Sequence, residues 1–187
     1  MENQLDYEIN KELGECYLFM GNYDEAEKYY RKALTENPQI SAPFMGLATI
    51  AVQRGELDNA LVLYKKAASV EPDSKAYCGM GLVLMEQGKA QEAFDAFAKS
   101  LDMASDGIVA LNGMVRTAYA AGCVEKAIPY LQAAIDADMQ AEAMRVTLAG
   151  CFISLDRKDE ARELLQQVLA ANPEHESARA LLETLSA

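Results

Sequence analysis

The stretch GNYDEAEKYYRKALTENP at residues 21–38 decides the fold, because its pattern returns along the chain at a nearly fixed interval. Within it, Gly21 is followed five residues later by Ala26. The same spacing recurs in three further pairs, Gly55 and Ala60, Gly88 and Ala93, and Gly122 and Ala127. The glycines are separated by 34, 33 and 34 residues, and Ala161 follows after another 34 with Asp156 in place of glycine. Such a period predicts a stack of repeated supersecondary units.

Between the glycines the apolar residues follow a helical period. Asn22 is a favourable N-cap residue, and Glu25 three positions later completes a capping box. The helix that follows places Ala26 and Tyr30 on one face and ends before Pro38, because proline disfavours helix in the residue preceding it. No strand-like alternation interrupts this pattern, so the sequence predicts an all-α fold.

Several positions recur in every unit. The first helix carries a large residue that is usually followed by a small one, at Leu13-Gly14, Leu47-Ala48, Met80-Gly81, Met114-Val115 and Leu148-Ala149. The second helix carries a small residue followed four positions later by a large one, at Ala26/Tyr30, Ala60/Tyr64, Ala93/Phe97, Ala127/Leu131 and Ala161/Leu165. Proline closes three units, at Pro38, Pro72 and Pro173, whereas Ser105 and Met139 depart from this pattern. Together these positions resemble the tetratricopeptide repeat (TPR) family.

The resemblance implies an all-α, right-handed superhelical solenoid of antiparallel helix pairs, forming a single domain over residues 1–187. It divides the chain into five repeats, at residues 7–40, 41–73, 74–107, 108–141 and 142–175, with a capping helix at 176–187. Pro129 falls one turn into the predicted second helix of the fourth repeat, where we expect only a slight kink.

In TPR proteins the first helix of each repeat lines a concave groove, so the resemblance also implies a binding surface. The groove candidates are Lys11, Met45, Thr49, Lys75, Leu82, Met85, Asn112, Arg116, Tyr119 and Val146. Flexible methionines and other apolar residues in such a trough suit an apolar or amphipathic peptide. The alternative is that Met45, Leu82 and Met85 only pack against neighbouring repeats.

A chaperone-tail clamp, which some TPR proteins use to hold a terminal carboxylate, is not favoured. Of the corresponding positions only Lys11 and Lys75 match, and Glu15 would repel a carboxylate. Asn112 and Arg116 offer a different polar hold, for a backbone amide and an acidic side chain.

Composition limits the classes of partner. The chain has 187 residues and a formal net charge of -12, which argues against nucleic acid because few cations are available for phosphates. No window of eighteen consecutive apolar residues occurs, so direct membrane insertion is not expected. The N-terminal residues lack the features of a secretory signal, and we therefore expect a cytoplasmic protein.

No constellation of catalytic, metal-binding or cofactor-binding residues is present, so the sequence predicts a protein that is not an enzyme and needs no cofactor. The single histidine, His175, lies in the final loop and is expected to be inert. The four cysteines form no C-x-x-C pair. Cys16 and Cys151 are expected to be small core residues.

Two functions remain open. The first is a non-enzymatic interaction module that binds a peptide or protein segment in the groove. The second is a self-assembling scaffold of a bacterial multiprotein complex or organelle, of which the magnetosome-associated TPR proteins are one type. The scaffold hypothesis depends on an open N-terminal face formed by Leu5, Tyr7 and Ile9, through which the chain would form a homo-oligomer. An enzyme is a third alternative without a supporting motif.

Overall fold

The computed structural model describes residues 2–104 and 107–185, with side chains from residue 5 onward. The described residues contain helices and turns and no β-strand. The α-helices are α1 (Glu2–Phe19), α2 (Tyr23–Glu36), α3 (Ala42–Gln53), α4 (Leu57–Val70), α5 (Ser74–Glu86), α6 (Ala90–Met103), α7 (Ile108–Ala121), α8 (Ile128–Asp136), α9 (Ala141–Ser154), α10 (Lys158–Ala171) and α11 (Glu176–Thr184). The predicted all-α class is confirmed. Ser105 and the last two residues of the predicted capping helix lie outside the described residues.

The chain divides into two compact units. Unit 1, Met1–Met103, contains three helix pairs, in which α1 packs on α2, α3 on α4 and α5 on α6. Unit 2, Ala104–Ala187, contains α7 with the segment leading into α8, the pair α9 and α10, and the short helix α11. In unit 1, α2 also contacts α3 and α4 contacts α5, so each pair packs on the next.

A buried tyrosine explains how the first pairs of unit 1 pack. The Tyr30 ring, on α2, is only 2% exposed. A Cβ added to Gly14 on α1 would lie 2.7 Å from this ring, and one added to Gly46 on α3 would lie 2.3 Å from it. The ring therefore fills the space between two helix backbones, which approach closely because neither glycine carries a side chain. Leu47 and Ile50 complete this cluster.

Unit 2 is built on the same positions with aliphatic residues. Leu131 on α8, Leu148 on α9 and Leu165 on α10 are fully buried, as are the small residues Ala127 and Ala161 beside them. Leu131 and Leu165 therefore fill with aliphatic side chains the positions that Tyr30 and Tyr64 occupy in the first two repeats.

The second helix of the fourth repeat differs from the prediction. A 3₁₀ helix, Val124–Ala127, precedes α8, and Pro129 lies in the first turn of α8. The expectation of a slight kink within one helix is wrong. Proline lacks a backbone N–H and is accommodated best at the start of a helix, so the regular α-helix begins beside it.

The turns inside the helix pairs share one backbone geometry. Gly21, Gly55, Gly88 and Gly122 have φ between 67° and 74°, in the left-handed region. Asp156, at the equivalent position of the fifth pair, has φ of 58°. In the first turn the N–H of Asn22 donates to the Tyr17 carbonyl at 2.9 Å, which satisfies an orphan carbonyl of α1. Asp156 adopts this left-handed conformation although its Cβ makes it less favourable than it is for glycine.

Three side chains lie where the sequence did not place them. Tyr7 is 2% exposed, so the expectation that it contributes to an open face is wrong. Burial is the main reason that the pKa of its hydroxyl is raised. Cys16, expected in the core, is exposed, whereas Cys151 is buried as predicted. His175 is not a free loop residue, because its Nδ1 accepts the Ala178 N–H at 3.2 Å and caps α11.

Candidate protein-binding faces

The first helices of neighbouring pairs lie side by side in unit 1, where α1 contacts α3. The predicted groove residues of this unit are on α1, α3 and α5. Lys11 is half-buried, and its Nζ donates to Glu8 Oε2 at 2.6 Å. This hydrogen bond is the main reason that the pKa of Lys11 is raised. The positive charge of Lys11 is therefore neutralised within α1.

Met45 and Thr49 on α3 belong to the packing of the unit. Met45 is partly buried against Ala67 and Ala68 of its own predicted repeat and Ala76 of the next one. The Thr49 hydroxyl donates to the Met45 carbonyl at 3.0 Å and lies 3.4 Å from the Tyr64 hydroxyl. The Thr49 hydroxyl is therefore already engaged within unit 1, and the Met45 side chain is apolar.

Leu82 on α5 is exposed and borders a cleft. Its side chain is 39% exposed. An open cleft of about 300 Å³ lies between the α3–α4 turn and α5, lined by Val52, Gly55, Leu57, Leu82, Val83 and Glu86. Most of the lining side chains are apolar, and Glu86 is the one acidic residue among them. Elsewhere on α5, Lys75 is exposed and Met85 is half-buried.

An exposed apolar stripe along α1 and the turn after it includes the predicted Leu5 and Ile9 and extends beyond them. Leu5, Ile9, Cys16 and Met20 are exposed at intervals of four, seven and four residues, and Glu12 falls between them. Phe19 beside this stripe is 94% exposed. From Leu5 to Phe19 the positions on this face follow a helical spacing, interrupted by the charged Glu12, and such a face can pack against another helix.

In unit 2 the predicted residues Asn112, Arg116 and Tyr119 share one face of α7. They are exposed together with Val109, at intervals of three, four and three residues. Arg116 is the only ionisable group in α7 apart from Tyr119. The structure thus brings three predicted residues together on one helix face.

The Tyr119 side chain links α7 to α9. Burial is the main reason that the pKa of its hydroxyl is raised, and Cys151 and Ser154 on α9 lie near this hydroxyl. The same hydroxyl lies 3.7 Å from the position that a Cβ on Gly150 would take. The ring is nevertheless 45% exposed. Tyr119 therefore directs its hydroxyl toward α9 and leaves much of its ring exposed.

On α9, Val146 is half-buried and the charged residues are Glu142 and Arg145. Glu142 Oε1 accepts from Asn172 Nδ2 at 2.9 Å and lies 3.7 Å from His175 Nε2. The carboxylate of Glu142 is therefore engaged by the loop before α11. Arg145 and Arg116 have no carboxylate within 4.0 Å among residues 5–104 and 107–185.

Groups capable of other chemistry are scarce in the part of the chain that the structure describes. Across those residues, no group of three His, Cys, Asp or Glu side chains could hold a metal ion. Burial raises the pKa of the Cys78 and Cys151 thiols, which disfavours the reactive thiolate. Over the same residues, no helix has both the length and the apolar content needed to cross a bilayer.

Similarity to known proteins agrees with the fold. The chain is 32% identical over 100 residues to the BBSome complex member BBS4 of Bos taurus, covering 53% of this chain and 19% of that protein. It is 23% identical over 167 residues to the TPR repeat-containing protein YpiA of Bacillus subtilis, covering 88% of this chain and 40% of that protein. The chain therefore spans less than half the length of either relative.

Among solved structures, YrrB, a TPR protein described as having an unusual peptide-binding site, superimposes with a TM-score of 0.69 at 15% identity, covering 89% of this chain and 87% of YrrB. MamA superimposes with a TM-score of 0.71 at 19% identity, covering 88% of this chain and 91% of MamA. Three family profiles, each described as tetratricopeptide repeat, match residues 7–40, 45–108 and 118–185. The chain is therefore a member of the tetratricopeptide repeat family.

Proposed function

We propose that this protein is a non-enzymatic interaction module that binds a peptide or protein segment on the faces formed by its first helices. The observation that carries the proposal is the cleft beside Leu82, where an exposed leucine and Val52 border an open apolar space. The peptide-binding site described for YrrB, a protein of the same fold, supports the proposal.

The energetics of such a cleft favour an apolar side chain of a ligand. Apolar area removed from water contributes about 25 cal/mol per Å², so one inserted leucine or phenylalanine side chain could contribute about 1.5–3 kcal/mol. Leu82 is only partly covered in the free protein, so its remaining surface would be buried by the ligand. A carboxylate placed at this position would need to be desolvated and would face Glu86.

The test is the exchange Leu82→Glu, with Val62→Glu on α4 as its matched control. Val62 is also an exposed apolar helix residue, and the charge change is the same. Short peptides selected from a displayed library against the wild-type chain serve as ligands in a fluorescence polarisation assay. We expect Leu82→Glu to weaken binding by about tenfold or more, the scale of a binding hot spot, and Val62→Glu to leave it unchanged. Equal affinities for both variants, or a library that yields no binder, would overturn the proposal.

A second candidate function is the self-assembling scaffold, and the exposed α1 stripe favours it. Leu5 and Ile9, two of the three residues predicted for self-association, lie on this stripe, whereas Tyr7 does not. A stripe of this spacing on an outer helix suits packing against a helix of another copy. MamA, which shares the fold, is similar at the level of architecture alone.

Light scattering as a function of protein concentration tests the scaffold. If copies associate through α1, the mass should rise with concentration, and Ile9→Glu should hold it at that of one chain. Val62→Glu is again the control, because it adds a carboxylate away from α1. A wild-type mass that stays constant into the high micromolar range contradicts this candidate and leaves the interaction module.

A further inference from the structure

We infer that the exposed stripe of α1 binds a basic amphipathic helix of a partner protein. The stripe consists of Leu5, Ile9, Cys16 and Met20, and Glu12 falls between them. This inference rests on the proposed function, because α1 is one of the first helices, and it specifies the chemistry of the partner that this helix takes.

The stripe lies on the side of α1 that is turned away from the core of unit 1. Tyr7 is buried, and a Cβ added to Gly14 would meet the Tyr30 ring of α2, so Tyr7 and Gly14 mark the inward side of the helix. Leu5 and Ile9 each lie two residues from Tyr7, which places them about 160° around the helix from it. The apolar side chains of the stripe are therefore left in contact with water.

Exposed apolar side chains are concentrated at this helix. Of the nine large apolar side chains that are exposed among the described residues, four lie on α1 and the turn after it, namely Leu5, Ile9, Phe19 and Met20. The other five are distributed over α4, α5, α6 and α7. A concentration of apolar side chains on the surface is typical of an interaction site.

The net charge of α1 distinguishes it from the other helices. Five acidic residues and one lysine give it a net charge of -4, in a chain of -12. Among the described helices the next most acidic is α6, where three acidic residues and one lysine give a net charge of -2. The lysine of α1, Lys11, donates to Glu8 Oε2 at 2.6 Å. The remaining acidic residues of α1 therefore have no further cation on their own helix.

Three of these acidic residues surround the stripe. Asp6 follows Leu5 and Glu15 precedes Cys16, so at about 100° per residue the two carboxylates border the stripe on opposite sides. Glu12 lies within the stripe, and all three residues are exposed. A partner that covers the apolar side chains therefore also meets three negative charges.

A basic amphipathic helix matches both features of this face. Its apolar side chains would cover the stripe, and its lysines or arginines would lie beside Asp6, Glu12 and Glu15. A second copy of α1 would bring together two helices that each carry a net charge of -4, and an anionic membrane surface would be repelled in the same way. The distance from Leu5 to Phe19 is about 21 Å at 1.5 Å per residue, so the partner needs about four helical turns.

The experiment uses the full chain and fluorescently labelled synthetic helices of about five turns, with leucines along one face. Three versions carry Lys, Gln or Glu at all positions that flank the leucines. Fluorescence anisotropy should show that the Lys version binds about tenfold more tightly than the Gln version at low ionic strength, and that the Glu version binds most weakly. The difference between the Lys and Gln versions should shrink in 0.5 M salt, because salt screens exposed charges.

Two pairs of variants assign the binding to α1. Ile9→Ser should weaken binding of the Lys version by about tenfold, whereas Val62→Ser, at an exposed apolar residue of α4, should leave it unchanged. Glu12→Lys should weaken it by about tenfold, whereas Glu163→Lys makes the same charge change at an exposed residue of α10 and should have no such effect. Circular dichroism of each variant checks that the fold is retained.

Three results would overturn the inference. Equal weakening by Glu12→Lys and Glu163→Lys would indicate a general attraction to an acidic chain. Equal binding of the Lys and Gln versions would remove charge from recognition. A wild-type chain that associates at the concentrations used, and loses this association in Ile9→Ser, would assign the stripe to a second copy. Library peptides that still depend on Leu82 would then leave the proposed function intact, whereas it fails as well if they do not bind.

Discussion

In unit 1 the charge of Lys11 on α1 is neutralised by Glu8 within the same helix, whereas in unit 2 Arg116 on α7 meets no described carboxylate. Both residues lie on first helices, at positions where a TPR protein would contact a ligand. The apolar features differ as well, because unit 1 presents an open cleft beside Leu82 and unit 2 presents an oriented tyrosine ring. One repeat scaffold can therefore carry two faces of different chemistry. A charged side chain that is already paired within its own helix, such as Lys11, differs in this respect from one without a described carboxylate partner, such as Arg116.

The largest difference that the two units should show in stability concerns glycines on their first helices. In Gly46→Ala the new Cβ would lie 2.3 Å from the buried Tyr30 ring, which Gly14 confines from the other side. We expect overpacking to lower the free energy of unfolding by about 1–3 kcal/mol. In Gly150→Ala the nearest atom is the Tyr119 hydroxyl at 3.7 Å, an ordinary contact. Thermal unfolding followed by circular dichroism should show a loss for the first exchange and no loss for the second.

A smaller effect is expected at the turns. Asp156 adopts a φ of 58° where the turns of unit 1 have glycine. A left-handed conformation costs an ordinary residue about 1–2 kcal/mol, and Asp less, so Asp156→Gly should stabilise the protein by up to about 1 kcal/mol. Gly55→Asp in unit 1 is the reciprocal exchange and should destabilise it by a similar amount. If chemical denaturation shifts both midpoints in the same direction, the turns of the two units are not equivalent.

The smallest effect should be pH-dependent and separates ion pairs between helices from those within one. Glu27 on α2 lies 2.6 Å from Arg54, which follows α3, and 2.7 Å from Arg31, and hydrogen bonds from Arg54 and then Arg31 lower its pKa. Since its folded pKa is lowered, its contribution is present above the ordinary value of 4.5 and is lost as pH falls through the folded pKa.

Glu27→Gln should therefore cost about 0.2–1 kcal/mol at neutral pH, a range reduced by solvent screening, and nothing in acid below the folded pKa. Among the described residues, the carboxylate that Glu160→Gln removes in unit 2 pairs with Arg157 in the adjoining turn, so we expect this variant to lose less stability. Urea denaturation at several pH values measures both. A loss for Glu27→Gln that persists unchanged in acid would assign its effect to packing.

Much of the helical architecture was predictable because local chemistry repeats with the unit. The left-handed glycine turns, the Asn22 cap and the prolines after second helices each act within a few residues, so their spacing predicted where the helices pair. The second helix of the fourth repeat was not predicted correctly, because α8 begins beside Pro129 and the residues before it form a 3₁₀ helix.

The candidate sites were less predictable because they depend on residues of other helices, 15 positions away for Thr49 and Tyr64 and further for Tyr119 and Cys151. Position in the repeat could not distinguish Thr49, which reaches the Tyr64 hydroxyl on α4, from Arg116, which is free of carboxylates in the described chain. The Tyr119 contact with Cys151 also joins two helices that the repeat treats as separate units. Tyr7 turned inward for the same reason, since the side of α1 that faces its neighbours is set by tertiary packing.

The Tyr30 ring, placed between Gly14 and Gly46, has a consequence for how the chain comes apart. Separating α1 and α2 from α3 would expose the Tyr30 ring to water and leave the α3 backbone at Gly46 uncovered. The Tyr64 ring lies in the same way against Gly79 of α5, so each helix pair of unit 1 is joined to the next by an aromatic ring. Under mechanical load from its N-terminus, we therefore expect the helix pairs of unit 1 to unfold together rather than one repeat at a time.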